Sequence, residues 1–287
     1  MNSGEPHPPH PGGPSPEARR SRQSAPDFRD EAHRAQQAAA FTAGAAQYED
    51  ARPSYPSVVT ELLAPYHQIL DVGAGTGKLT RQLAQCDHEV YALDPSAAMV
   101  NQLRRSWSSG GGLQPPSSPP PAWRATAERT GVRAASFDAV TCAQTWHWVD
   151  HSAACQEFER VLRPGGVALL AWNSIDTTEP WVLRLARIMH SGDVLRPGFV
   201  PPLGPGWLIE RTVRSTWNQE ITPEGIFALT QTRSYWLKAK LNIRARVRDN
   251  LHWYLFNKLG FEAGQKLLLP YRLDTFICRP KVAKETL

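Results

Sequence analysis

The residues best suited to chemistry stand in one run, Ile69-Leu-Asp-Val-Gly-Ala-Gly-Thr-Gly-Lys78. Glycines at 73, 75 and 77 permit positive φ and leave no Cβ between the backbone and a ligand. A helix starting after Gly77 would present unsatisfied N–H groups to that ligand. A second acid follows in Asp94-Pro-Ser96, 23 residues after Asp71. Its carboxylate is a two-oxygen acceptor suited to adjacent hydroxyls. It is also placed to cap a helix whose first residue is Pro95. A P-loop needs four residues between its first glycine and the Gly-Lys pair, followed by Ser or Thr. Here three residues separate Gly73 from Gly77 and Leu79 follows Lys78, so that pattern fails twice. A dinucleotide fingerprint needs a sixth-position glycine for close helix–strand packing. Lys78 stands there, which disfavours NAD without excluding it.

Two other groups of residues have chemical potential. His147 and His151 are four apart, but no third ligand is evident, so no metal site is expected. Arg233, Lys238, Lys240, Arg244, Arg246 and Arg248 lie in a stretch without an acid. Such a run can meet an acidic small molecule or RNA, although a solvated helix face is its ordinary fate.

The elements that must carry the glycine loop follow from hydrophobic periodicity. Residues 67–72 form a short apolar strand ending at the loop, and 78–84 a helix. Residues 88–93 alternate like a strand, and Val100 and Leu103 mark the next helix. A weak strand at 123–126 and an apolar strand at 137–143 come next. Ala154, Cys155, Phe158, Val161 and Leu162 mark one helix face, Arg163-Pro-Gly-Gly166 a turn, and 167–171 a buried strand. Strands alternating with helices indicate the α/β class, a parallel sheet covered on both faces, with ligands at its carboxyl edge. Later, Trp181–Met189 reads as an amphipathic helix behind Pro180, and Glu210–Ile221 as a strand. Ile243, Val247, Leu251 and Leu255 favour a helix, although 241–247 also alternates like a strand. Lys266–Cys278 reads as a last strand broken by Pro270.

With 287 residues, 41% of them hydrophobic, the chain suits one large α/β domain or two small ones. The net charge of +5 names no partner, since a nucleic-acid footprint needs its charge on one face. Residues 1–40 are rich in Pro, Gly, Ser and charge and are expected to form a disordered tail. Residues 106–122 are a low-complexity insert. Cys86, Cys142, Cys155 and Cys278 form no C-x-x-C pair and read as packed thiols of a reducing compartment. No stretch reaches the roughly 18 apolar residues of a membrane span, and no apolar signal region opens the sequence. A cytoplasmic protein without a membrane partner is expected.

Five segments carry a family likeness: Asp71-Val-Gly-Ala-Gly-Thr-Gly77, Asp94-Pro-Ser96, Phe137-Asp-Ala-Val140, Gln144-Thr-Trp-His-Trp148 and Leu162-Arg-Pro-Gly-Gly166. In order and spacing they resemble the class I S-adenosylmethionine (SAM)-dependent methyltransferases. The likeness is nearest to the methyltransferase type 11 branch that includes trans-aconitate methyltransferase-like proteins. It covers roughly residues 41–173. The resemblance implies a Rossmann-like three-layer sandwich with a mostly parallel seven-stranded sheet in the order 3-2-1-4-5-7-6, and SAM as cofactor. It implies a methyltransferase domain over 41–287, in which 41–56 and 174–260 cover the substrate.

Site residues carry over by the same resemblance. Gly73, Ala74, Gly75 and Gly77 would lie beside the cofactor's amino acid and ribose, with Asp71 acting through the loop. Asp94 and Pro95 would meet the ribose hydroxyls, Ala127 and Glu128 the adenine, and Gln144 the methyl-donor end. Tyr48 and Arg52, in the pattern Y-x-x-x-R-P-x-Y-P, would close over the methionine end, where a guanidinium suits a carboxylate. Tyr235 and Trp236 would line the acceptor pocket. Purely structural roles stay open: an ion pair or turn cap for Asp71, a solvated loop acid at Glu128, packing for Tyr48 and Arg52.

The sulfonium is already activated, so the protein supplies alignment and, for some acceptors, a base. His147 is the candidate base because its ordinary pKa lies near neutrality; a positioning role is the alternative. Trp146 and Trp148 either face the sulfonium or pack on the next helix. The expected activity is methylation of a small molecule at oxygen, nitrogen or carbon. The alternatives are an RNA or protein methyltransferase, supported only by the Arg/Lys run, and a SAM-binding module without turnover. Nucleic acid is the disfavoured partner.

Overall fold

The computed structural model describes residues 51–107, 118–191 and 195–281. The 1–40 tail, Tyr48 and most of the 106–122 insert lie outside the described residues. The alternating half comprises α1 (Val58–Leu63), β1 (Gln68–Val72), α2 (Lys78–Ala84), β2 (Glu89–Leu93), α3 (Ala97–Ser106), β3 (Ala122–Trp123), β4 (Phe137–Ala143), α4 (His151–Val161) and β5 (Leu162–Ile175). It is followed by α5 (Pro180–Ile188), β6 (Trp207–Ile221), α6 (Pro223–Gln231), α7 (Ser234–Lys238), α8 (Leu241–His252) and β7 (Leu267–Pro280). The seven strands form one sheet in the order β3-β2-β1-β4-β5-β7-β6. β1 to β5 pair in parallel, and β7 runs antiparallel between β5 and β6. This is the Rossmann-like α/β class and strand order that the family resemblance implied.

Side-chain alternation along each central strand builds two cores. Leu70, Val140, Cys142, Ala168, Leu170 and Phe276 point to the face covered by α4, through Ala154, Cys155, Phe158 and Val161. Ile69, Ala139, Val167, Leu169 and Leu273 point to the opposite face, against Val59 and Leu63 of α1, Leu79 and Leu83 of α2 and Leu103 of α3. Both faces are therefore apolar, and the strands read as continuous hydrophobic runs rather than alternating ones. Each fully buried Leu or Ile contributes roughly 1.5–3 kcal/mol. A third cluster lies beyond the sheet, where Val182 and Leu185 of α5 meet Ile226 and Leu229 of α6 and Leu251 of α8.

Three local readings change, and the helix favoured over a strand at 241–247 is found. The Arg163–Gly166 stretch is a bulge within β5, not a turn before it: Phe137 pairs with Leu162, and Ala139 already with Val167. Pro270 does not break β7, which pairs with β6 in one register from Leu267 to Ile277, with Pro270 opposite Asn218. Its carbonyl accepts from Asp176 N–H at 2.9 Å. A strand residue's N and O point to the same side, so the missing N–H faces the end of β5, not the β6 ladder. Residues 241–247 are helical, since Val247 and Leu251 bury one face of α8. The cap of α3 is Ser96, whose hydroxyl accepts from Met99 N–H at 3.4 Å, and the helix begins at Ala97, not Pro95.

Candidate active site

A cavity of about 590 Å³ opens at the carboxyl edge of the parallel strands, where strand ends and helix N-termini converge. Gly73, Ala74 and Gly75 after β1 line it, together with Asp94 and Pro95 after β2, Gln144 and Thr145 after β4, and Asn173 within β5. Arg52, Tyr55 and Arg233 also line it.

The glycine loop is shaped by close approach. Gly73 has φ +69°, and a Cβ there would fall 2.2 to 2.7 Å from the Thr145 side chain. Thr145 in turn donates from Oγ1 to the Gly73 carbonyl at 3.1 Å. The Gly73 and Ala74 N–H groups both donate to the Leu93 carbonyl, at 2.8 and 3.0 Å. Gly75, at φ +59°, has no atom within 4 Å of a Cβ built on it. The space beside it belongs to the cavity, so this loop leaves room for a ligand against bare backbone. Gly77 is the left-handed residue before α2 and packs on Leu103; it does not line the cavity.

Asp71 and Asp94 do different work. Asp71 lies at the sheet interior, accepting from Thr80 Oγ1 at 2.6 Å and from Thr141 Oγ1 at 2.8 Å. It thereby ties β1 to α2 and β4 directly below the loop. Burial pushes its carboxyl upward, against the pull of the threonine hydrogen bonds. Asp94 stands at the rim. Its Oδ2 accepts from Gly75 N–H at 3.0 Å and its Oδ1 from Ser96 N–H at 2.8 Å. A carboxylate has about four lone-pair directions, so each oxygen keeps one acceptor direction beyond these bonds. Burial pushes the Asp94 carboxyl up to about 6, with the two backbone N–H groups and the neighbouring Asp71 charge as lesser influences.

The remaining expected residues divide. Gln144 takes φ +55°, an uncommon backbone state that clusters at functional sites. Its amide Nε2 donates to the Asn173 carbonyl, and it lines the cavity. Arg52 lines it too, while its Nε donates to Thr232 Oγ1 at 3.0 Å. The adjacent segment is fixed by Gln82, which bonds both Tyr55 N–H and C=O, and by Asn173 Nδ2 donating to the Ser54 carbonyl. Ala127 and Glu128 are away from the cavity wall: Ala127 is buried in the core under α4, and Glu128 accepts from Asp150 N–H at 2.8 Å. His147 is also off the wall; its Nδ1 accepts from Trp172 Nε1 at 3.4 Å, and its ring lies 5.1 Å from that of Trp148. Trp148 lines the cavity. Trp146 is core, with Nε1 donating to the Pro202 carbonyl at 2.8 Å. Tyr235 and Trp236 do not line this cavity.

Thr145, Asn173, Arg124 and Tyr271 line the cavity as well, and the sequence reading passed over them. Asn173 had a signal, a polar residue two past an apolar strand at the carboxyl edge. Tyr271 had none, since its place depends on β7 inserting beside β5.

Comparison with known proteins agrees with this architecture. Residues 70–170 match the methyltransferase domain family. An uncharacterized methyltransferase of Mycobacterium tuberculosis is 34% identical over 241 residues, covering 83% of this chain and 94% of its own. An uncharacterized methyltransferase-like protein of Schizosaccharomyces pombe is 35% identical over 168 residues, 56% of this chain and 61% of its own. A solved structure from Anaeromyxobacter dehalogenans, described as a candidate type II methyltransferase, superimposes with a TM-score of 0.57 at 22% identity. That alignment covers 79% of this chain and 97% of the other, and speaks for the fold.

Proposed function

The chain belongs to the class I SAM-dependent methyltransferases, and we propose that it methylates a small molecule admitted to the cavity that holds its cofactor. The observation that carries this reading is the covered cavity. Its roughly 590 Å³ are lined by the glycine loop and by Arg52, Pro53, Tyr55 and Arg233, which we read as its cover. Small-ligand sites run from about 300 to 1,000 Å³. An acceptor has to reach the methyl donor inside this enclosure, which suits a metabolite better than a folded macromolecule.

The residues present fit SAM. The cradle at Gly75 would be filled by any Cβ placed there, and Asp94 keeps acceptor directions toward the cavity. The cofactor supplies a methyl group already activated on a sulfonium. Gly73, Ala74 and Gly75 give a wall without side chains. Asp94, ionised, would accept from the two vicinal ribose hydroxyls, with Pro95 beside it. Gln144 and Thr145 bound the donor end, and the face of Trp148 favours positive charge there. Arg52 brings a positive charge for the cofactor carboxylate and ties the cover to Thr232. Asp71 acts through the loop. Glu128 acts through the start of α4, and Ala127 packs in the core beneath it. His147 positions Trp148 rather than moving a proton, because it lies off the wall. In this reading 41–287 is one catalytic domain, and Arg233 is the contribution of 174–260 to the cover.

The test is transfer from methyl-labelled SAM, offered separately with a low-molecular-weight metabolite extract, with RNA and with protein. Label in the metabolite fraction is the expected result. Label confined to RNA or protein defeats the small-molecule reading. SAM binding without any transfer makes the chain a binding module.

A further inference from the structure

A second hollow, of about 460 Å³, lies between α5 and α8 and shares no lining residue with the cofactor cavity. Arg184 and Arg187 reach it from α5 and Arg246 from α8. Positions 184 and 187 are one helical turn apart and so share a face. Among the described residues no carboxylate lines the hollow, and none of the three arginines joins an ion pair or hydrogen bond there. Arg184 instead stacks over Trp253 and Tyr254, at 5.4 and 5.3 Å from their ring centres. The hollow also has an apolar side, made by Leu183, Ile188, Ile243 and Val247. At its edge the rings of His190 and Tyr235 stack 3.8 Å apart at 17°.

Arg184, Arg187 and Arg246 are all exposed at the border of one hollow, and their summed positive charge favours an anion there. A single carboxylate would leave most of the positive charge unbalanced. A phosphate carries nearly two charges and three acceptor oxygens, and its geometry matches guanidinium forks. Apolar side chains and a stacked ring pair beside the charges provide for an organic body attached to that phosphate. Partial desolvation, and secondarily the charge of Arg246, lower the pKa of the His190 ring. We propose that this hollow is a binding site for an organic phosphate monoester, gripped by Arg184, Arg187 and Arg246 with its apolar body on Leu183, Ile243 and Val247. The site is independent of the acceptor chemistry in the cofactor cavity. It assigns a use to part of the basic run, two other members of which are engaged elsewhere: Arg244 donates to the Trp236 and Leu237 carbonyls, and Arg248 pairs with Asp249.

The test is calorimetric titration of the full chain with phenyl phosphate, with phenol as the uncharged control. A parallel arm uses phosphatidylcholine vesicles with and without about one-fifth phosphatidic acid, which separates a soluble phosphate ester from a lipid headgroup. The variants are the double substitution Arg187→Gln with Arg246→Gln, and Arg248→Gln on the same helix outside the hollow. SAM affinity reports whether each variant is folded. The expected result is phosphate-dependent binding in one of the two arms, at least about tenfold weaker in the double variant and unchanged in Arg248→Gln, with SAM affinity intact throughout. Absence of binding to either probe at roughly 5 mM overturns the proposal. So does binding that survives the double substitution, or that phenol matches.

Discussion

Replacing Asp94 tests the cofactor site most directly. Its carboxylate already receives Gly75 N–H on Oδ2 and Ser96 N–H on Oδ1, and the two directions left are those that a ribose diol requires. Asp94→Asn keeps the shape but leaves one acceptor oxygen, so one hydroxyl loses its partner and one backbone N–H faces an NH2 group. A hydrogen bond to a charged group is worth about 1.5–3 kcal/mol. SAM affinity should therefore fall about 10- to 100-fold in Asp94→Asn, and about 10²- to 10⁴-fold in Asp94→Ala, which loses both hydroxyl bonds. The pH dependence adds a second reading. Because burial places the free carboxyl at about 6, affinity in the unaltered protein should drop about tenfold between pH 7 and pH 5 as the acceptor is protonated. Asp94→Asn should lack that slope. The sign for folding is opposite. A raised folded-state pKa stabilises below the ordinary value of 3.8 and loses that contribution as pH rises through 6. Without cofactor, the stability of the unaltered protein relative to Asp94→Asn should decline by up to about 3 kcal/mol from pH 4 to above pH 6. Titration calorimetry with SAM and S-adenosylhomocysteine at pH 5, 6 and 7, with thermal unfolding of the free proteins, measures all of this. Wild-type-like affinity in Asp94→Ala, or a flat profile in the unaltered chain, would refute the placement of Asp94 beneath the diol.

Three further substitutions probe how the site is held. Gly73→Ala should lose about 1–3 kcal/mol of stability and most cofactor binding, since its Cβ overlaps Thr145 in a left-handed backbone. Gly75→Ala has open space around it and should lose only about 1–2 kcal/mol, while SAM affinity still falls at least about tenfold as the methyl enters the cavity; equal thermal losses in the two variants would contradict this. Asp71→Ala strands the buried Thr80 and Thr141 hydroxyls and should cost about 2–4 kcal/mol in denaturant unfolding. Asp274 is fully buried between Arg214 and Arg272, at 3.0 and 2.8 Å; Asp274→Ala should cost about 3–5 kcal/mol, and a loss below about 1 kcal/mol would count against that pairing.

What could be read from the sequence was what local rules encode. The β1–loop–α2 unit was legible because apolar strand, glycines and helix follow one another without a gap. Asp94 was legible as an acid at the end of a strand, but the helix cap expected of it falls to Ser96, whose hydroxyl accepts from the Met99 N–H. Asn173 and Gln144 meet across two strands, and nothing local to either residue shows that meeting. The family resemblance put Glu128 beside the adenine, whereas in the fold its carboxylate accepts from the Asp150 N–H at the head of α4. Pro270 looked like a strand breaker because the side to which its nitrogen points depends on which neighbour ends there. The base was the least legible element. His147 has a suitable ring, but the turn after β4 aims Trp148, not the imidazole, at the cavity.

The insertion of β7 between β5 and β6 sets an order of assembly. Among the described residues β6 pairs only with β7, so residues 207–221 have no ladder until 267–280 have arrived. Tyr271 and the seat of Asp274 arrive with the same strand. A nascent or truncated chain lacking that strand would keep the glycine loop and Asp94, but would have neither a finished cavity wall nor a docked neighbouring strand. Tight retention of the cofactor therefore serves as a reporter that the whole sheet has been threaded.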